Sequence, residues 1–159
     1  MYTVHHADLQ TLLVATRPVS LLLLDPHPDA ATVIPTGVEL TRLDGDPLSQ
    51  LPALGRYDLA VVANTLERLD RKTAGILLAQ LRDLYARRLV VLVPIGDAWE
   101  PQASHWEMSD LLGYGLSLMA RYAVDGKALH LYHYAIESYK TTPDWFNSQF
   151  WAHPERWRP

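Results

Sequence analysis

Tyr57-Asp58-Leu59-Ala60-Val61-Val62-Ala63-Asn64-Thr65-Leu66-Glu67-Arg68-Leu69 runs from an unbroken apolar core into a polar loop. Five consecutive apolar residues, Leu59 to Ala63, read as a strand buried on both faces, as in a parallel sheet. The pattern repeats outward from this stretch. Upstream, Val19 to Leu24 is apolar apart from Ser20 and stops at Asp25-Pro26; downstream, Arg88 to Val93 stops at Pro94. Val38 to Leu43 alternates apolar and polar residues and predicts a further strand, closed by Asp44-Gly45-Asp46-Pro47. Between the strands lie helical spacings. Ala7 to Thr16 carries Leu9, Leu12 and Leu13, with Asp8 early and Arg17 late to suit a helix dipole. Arg71 to Arg87 predicts a helix capped by Asp70, with Ile76, Leu77, Leu81 and Leu84 as its buried stripe. Met108 to Leu112 predicts a short helix. Leu116 to Val124, Asp125-Gly126 and Ala128 to Ser138 form a hairpin around a two-residue turn. Strands alternating with helices, then a hairpin, imply an α/β fold in three layers. Its six-stranded mixed sheet has the strands from Val19, Tyr57 and Arg88 inside and the hairpin as an antiparallel edge. The chain-reversal point lies between the Val19 and Tyr57 strands, where such sheets place ligands.

The length of 159 residues implies one domain, residues 1–159, burying roughly 70% of its unfolded surface. A hydrophobic share of 48% argues against disorder. With no cysteine, a thiolate nucleophile, a disulfide scaffold and any sulfur-ligated zinc are excluded, and a cytoplasmic protein is the default. A formal charge of −4 with no basic run gives nucleic acid little to hold, and no stretch is long enough to span a membrane. The tail, residues 141–159, carries Trp145, Phe146, Phe150, Trp151 and Trp157. So much aromatic surface predicts that it packs back on the domain, with a homodimer interface as the alternative.

The Tyr57 stretch resembles the fourth strand and following loop of S-adenosylmethionine-dependent methyltransferases, where an aromatic-Asp pair opens the strand and a Leu-Glu-His-Leu-like element follows. Arg68 stands where that family often has His. Arg88 to Pro94 is similar to the family's fifth strand, Asp46 to Pro52 to its loop after the third, and the terminal hairpin to its last two strands. The resemblance implies a Rossmann-like methyltransferase-type fold. The family's first strand ends in a glycine-rich loop that lets backbone approach the cofactor. None of the eight glycines here (37, 45, 55, 75, 96, 113, 115 and 126) forms such a loop. Two placements are open. By motif, Val19 to Leu24 is the family's second strand and the first is missing. By topology, it is the central strand, and Asp25-Pro26-His27-Pro28-Asp29 stands in for the glycines. The resemblance then implies either a protein degenerate in cofactor binding, acting as a binding or regulatory module for a small molecule or protein partner, or an active methyltransferase with an altered site. In the second case Asp25 would hold the ribose hydroxyls, Asp46 would face adenine, and Asn64 and His105 would flank a substrate. Asp25, His27, Asp44, Asp46 and Asn64 are the residues expected at the cleft rim. No catalytic residue is assigned, and the cofactor is S-adenosylmethionine or none.

Pro26-His27-Pro28-Asp29 also resembles the metal motif of zinc-dependent deacetylases of the LmbE-like class. Ala30 and Ala31 replace its next two acids, and a mononuclear site needs three protein ligands. A proline-rigid loop is the preferred reading, and no metal set is assigned. His5 and His6, adjacent and near the chain start, read as surface residues that cannot share a helix face. His130, Tyr132 and Tyr134 fall on one strand face, and read as half-exposed sheet filling. No G-x-S-x-G or P-loop motif occurs.

Overall fold

The computed structural model describes residues 2–99 and 101–136. The tail aromatics therefore lie outside the described residues. Six strands form one sheet: β1 (Ser20–Leu24), β2 (Glu39–Arg42), β3 (Tyr57–Val62), β4 (Ala86–Pro94), β5 (Ser117–Val124) and β6 (Lys127–Ala135). Their order is β2-β1-β3-β4-β6-β5, with the first four parallel and β6 antiparallel to both β4 and β5. The chain winds outward from β1 to β2 and, in the other direction, from β3 to β4, which puts the switch point between β1 and β3.

Alternate residues of the inner strands feed two cores. Leu22, Leu24, Ala60, Val62, Leu89 and Val91 face α3 (Arg71–Gln80) and α4 (Met108–Gly113), with the one-turn α2 (Pro47–Gln50) at the margin. Leu21, Leu23, Leu59, Val61, Val90 and Leu92 face α1 (His6–Thr16) through Leu9, Leu12 and Leu13. Two cores and one sheet make three layers. α1 is also held by the Tyr122 hydroxyl, which donates to the Asp8 carboxylate. The Asp of the aromatic-Asp pair aligns β1 with β3, because Asp58 Oδ2 accepts from the backbone of Val19 at 2.8 Å. Asp125 and Gly126 both take positive φ, 52° and 77°, as the predicted hairpin turn requires. No helix among the described residues is long and apolar enough to cross a membrane.

Two expectations need correction. The helix from Arg71 does not reach Arg87: it ends in a π turn, Leu81–Tyr85, and β4 already starts at Ala86. The wider π turn shifts the phase of the last residues. Leu84 is consequently exposed; Ile76, in the regular helix before the turn, is exposed on the face opposite the buried stripe of Ala74, Leu77, Leu78 and Leu81. His130 and Tyr132 are also not half-exposed: both are buried on β6, between β4 and β5, with His130 Nδ1 and the Tyr132 hydroxyl 2.9 Å apart.

Candidate functional site

The carboxyl ends of β1, β2 and β3 open into a cavity of about 290 Å³, lined in part by Asp25, Asp44, Gly45, Asn64, Thr65 and Arg68. This is at the small end of ligand pockets, which run from roughly 300 to 1,000 Å³. Strand pairing decides between the two placements of Val19 to Leu24. β1 lies beside β3, so it is the central strand, and Asp25 to Asp29 is the loop that leaves it. The acid that follows the second strand is thus Asp44, not Asp25.

That loop is tied down by its own neighbours. Arg42, on β2, donates through Nη2 to the carbonyls of Asp25 at 2.7 Å and His27 at 2.6 Å. The Asp25 carboxylate accepts from the His27 backbone at 2.9 Å, an Asx-type turn that holds the two prolines in place. Asp29 N donates to His27 Nδ1 at 3.1 Å.

Asn64 is the junction of the site. It follows β3 with φ 53°, a left-handed conformation that Asn accepts better than most residues. Its amide donates to Asp25 Oδ1 at 3.0 Å and to the carbonyl of Tyr2 at 3.1 Å, and its oxygen accepts from the Tyr2 backbone at 2.7 Å. Both amide protons are used. The start of the chain is therefore paired with Asn64 across the ends of β1 and β3, and the Tyr2 ring packs edge-on against Trp99 at 5.3 Å.

Of the residues expected at the rim, Asp25, Asp44 and Asn64 line the cavity together, and His27 sits beside Asp25. Asp46 instead caps α2, accepting from Leu48 N at 3.2 Å. His105 is exposed, with Nδ1 3.3 Å from the Gly96 carbonyl oxygen, and does not line the cavity.

Sequence reasoning missed three residues: His5, His6 and Glu67. His5 is not a surface residue: it is 1% exposed, and its ring meets that of His6 at 4.7 Å. His5 is the N-cap of α1 and His6 its first residue, and although they are adjacent both bring a ring nitrogen to within 4.8 Å of an Asp25 oxygen. Burial, reinforced by repulsion from His6 and His27, lowers the His5 pKa to about 4. Glu67 is also buried; burial first, then Asp25, pushes its carboxyl up to about 7 against the pull of a backbone N–H and Arg68. Nothing in the spacing of these residues marked them in advance.

A model of a family of unknown function (DUF6231) matches residues 3–158. No curated protein sequence matches. Among solved structures, the fold is similar to magnesium protoporphyrin IX methyltransferase (ChlM) from Synechocystis PCC 6803 with bound S-adenosylhomocysteine. That likeness has a TM-score of 0.54 and 15% identity, and covers 80% of each chain. It is also similar to 1,6-didemethyltoxoflavin-N1-methyltransferase from Burkholderia thailandensis, with a TM-score of 0.54 and 13% identity, covering 83% of this chain and 79% of that one. For TehB from Haemophilus influenzae the TM-score is 0.57 and the identity 9%, covering 82% and 63%. The α/β mixed sheet is thus the Rossmann-like fold of class I methyltransferases, a likeness of fold alone at these identities.

Proposed function

The chain belongs to the DUF6231 family, and from that premise we propose that it is a methyltransferase-fold binding or regulatory module that does not hold S-adenosylmethionine in the manner of its structural neighbours. The observation that carries this reading is the Tyr2–Asn64–Asp25 network. A cofactor laid across the ends of β1 and β3 needs free polar groups there. The chain's own start already satisfies them, and a buried amide with both protons committed has none left for a ligand. The loop after β1 argues the same way. The fold's cofactor needs close backbone approach at that point, and here Pro26, His27 and Pro28 carry side chains while Arg42 holds the carbonyls of Asp25 and His27. The residues present do not fit the group in its usual pose.

What remains open is the cavity toward β2, where Asp44 and Arg68 offer opposite charges. That suits a small polar ligand, whose binding would reach the module's surface through Asp25 and the paired chain start. Protein partners and a homodimer stay within this proposal.

One observation favours a second reading, an active methyltransferase with an altered site. The cavity opens beside Asp44, which as the acid after β2 takes the place at the ribose hydroxyls that the sequence resemblance gave to Asp25. A thermal-shift series separates the two. With 1 mM S-adenosylhomocysteine the first reading predicts a melting temperature unchanged within about 1 °C. A site with a dissociation constant near 10 μM would raise it by roughly 5–10 °C, and that would favour the second.

A further inference from the structure

His5, His6 and Asp25 each bring one ligand atom to within 4.8 Å of the others. His5 Nδ1 and His6 Nε2 are both buried and have no hydrogen-bond partner, a state that folded proteins ordinarily avoid. His5 is 1% exposed and Asp25 likewise 1%. The two hydrogen bonds that the Asp25 carboxylate accepts, from His27 N and Asn64 Nδ2, both fall on Oδ1 and leave Oδ2 for another partner. Two histidines that each carry a buried, unpartnered ring nitrogen thus stand with a buried carboxylate in one cluster of ligand atoms.

We propose that His5, His6 and Asp25 form a binding site for a divalent first-row transition-metal ion, with Zn²⁺ as its representative. Two imidazole nitrogens and one carboxylate are the donor set of open zinc and iron(II) sites. Ligand atoms 2.0–2.1 Å from a tetrahedral ion stand roughly 3.3 Å apart, so small ring rotations close the set. His27 stays outside it, because its Nδ1 already accepts from Asp29 N at 3.1 Å. The positive end of α1 opposes a cation here. The Asp25 carboxylate within the set and the Asp29 carboxylate acting on His6 offset it. Bound in this way, the ion latches the chain start to the end of β1, beside the Tyr2–Asn64 pair, and three protein ligands leave a coordination position for water or a ligand.

The test is calorimetric titration of the chelator-treated full chain with ZnCl₂, together with melting curves and the visible spectrum of the Co²⁺-loaded protein. Expected are one equivalent bound with a micromolar or tighter dissociation constant, and a melting temperature raised by about 5–10 °C at a hundredfold excess over that constant. Intense Co²⁺ bands of a four- or five-coordinate site should accompany them. His6→Ala and Asp25→Asn should each weaken binding at least tenfold and abolish the bands, while His105→Ala, at an exposed histidine, leaves both unchanged. His6 is only partly buried, so its variant serves if Asp25→Asn fails to fold. Binding no tighter than about 1 mM, or binding that His6→Ala leaves intact, would overturn the site. No S-adenosylmethionine enters the experiment, so its outcome is independent of the thermal-shift series.

Discussion

Asn64 makes two contributions that substitution can separate. Its side chain joins Tyr2 to Asp25, and its backbone holds φ 53°. Asn64→Gly removes the hydrogen bonds while easing the backbone; Asn64→Ala removes them and adds the left-handed penalty of about 1–2 kcal/mol. With hydrogen bonds worth about 1 kcal/mol each, and a buried carboxylate left less satisfied, the expected losses are about 2–3 kcal/mol for Gly and 3–4 kcal/mol for Ala. Urea unfolding measures both; equal losses would mean that the backbone conformation carries no strain. Glu67 adds a pH dependence. Its carboxyl is pushed up to about 7 from an ordinary 4.5, chiefly by burial. Between those values the unfolded chain releases the proton and the fold keeps it. Stability present below pH 4.5 is therefore lost as pH rises through 7. At about 1.4 kcal/mol per pH unit the loss reaches at most about 3 kcal/mol. In chelator-treated protein, Glu67→Gln should match the wild type at pH 4.5 and exceed it by about 1–3 kcal/mol at pH 8. Parallel stability profiles would show that Glu67 titrates as an ordinary surface acid.

The elements test the correction to α3. Leu78 is 1% exposed and Ile76 40%. Leu78→Ala should cost about 2–5 kcal/mol as a cavity forms, and Ile76→Ala less than about 1 kcal/mol. The reverse ranking, read from denaturant midpoints, would restore the stripe that helical spacing implied. That spacing failed for a physical reason. Apolar runs such as Leu59 to Ala63 announce a buried strand whatever surrounds them, so the sheet could be read along the chain. A π turn has no signature in residue type, yet it turned Leu84 outward and let β4 begin at Ala86. The site was legible where it hangs on strand ends: Asp25, Asp44 and Asn64 each follow a strand and meet at one cavity. It was illegible where distant segments meet. Nothing in Tyr2, His5 or His6 says that the chain start folds over β1 and β3. The first strand's identity likewise needed the pairing of β1 with β3.

For the whole molecule, the sheet order, three layers and switch point belong to a ligand-binding architecture, and the chain start lies across the place where that architecture binds. The aromatics of residues 141–159 bear on the assembly. At 150–250 Å² per buried aromatic side chain they hold several hundred square ångströms, more than a soluble monomer usually leaves in water. A chain lacking 141–159 is expected to melt several degrees lower or to change its oligomeric state in light scattering. Retention of both would assign those aromatics to an outside partner. Whether the chain itself satisfies the groups that the fold offers to a cofactor is decided by calorimetric titration of the full chain with S-adenosylmethionine and S-adenosylhomocysteine. No saturable heat is expected for either up to about 1 mM, a binding free energy weaker than about −4 kcal/mol. One equivalent bound with a micromolar dissociation constant would contradict it.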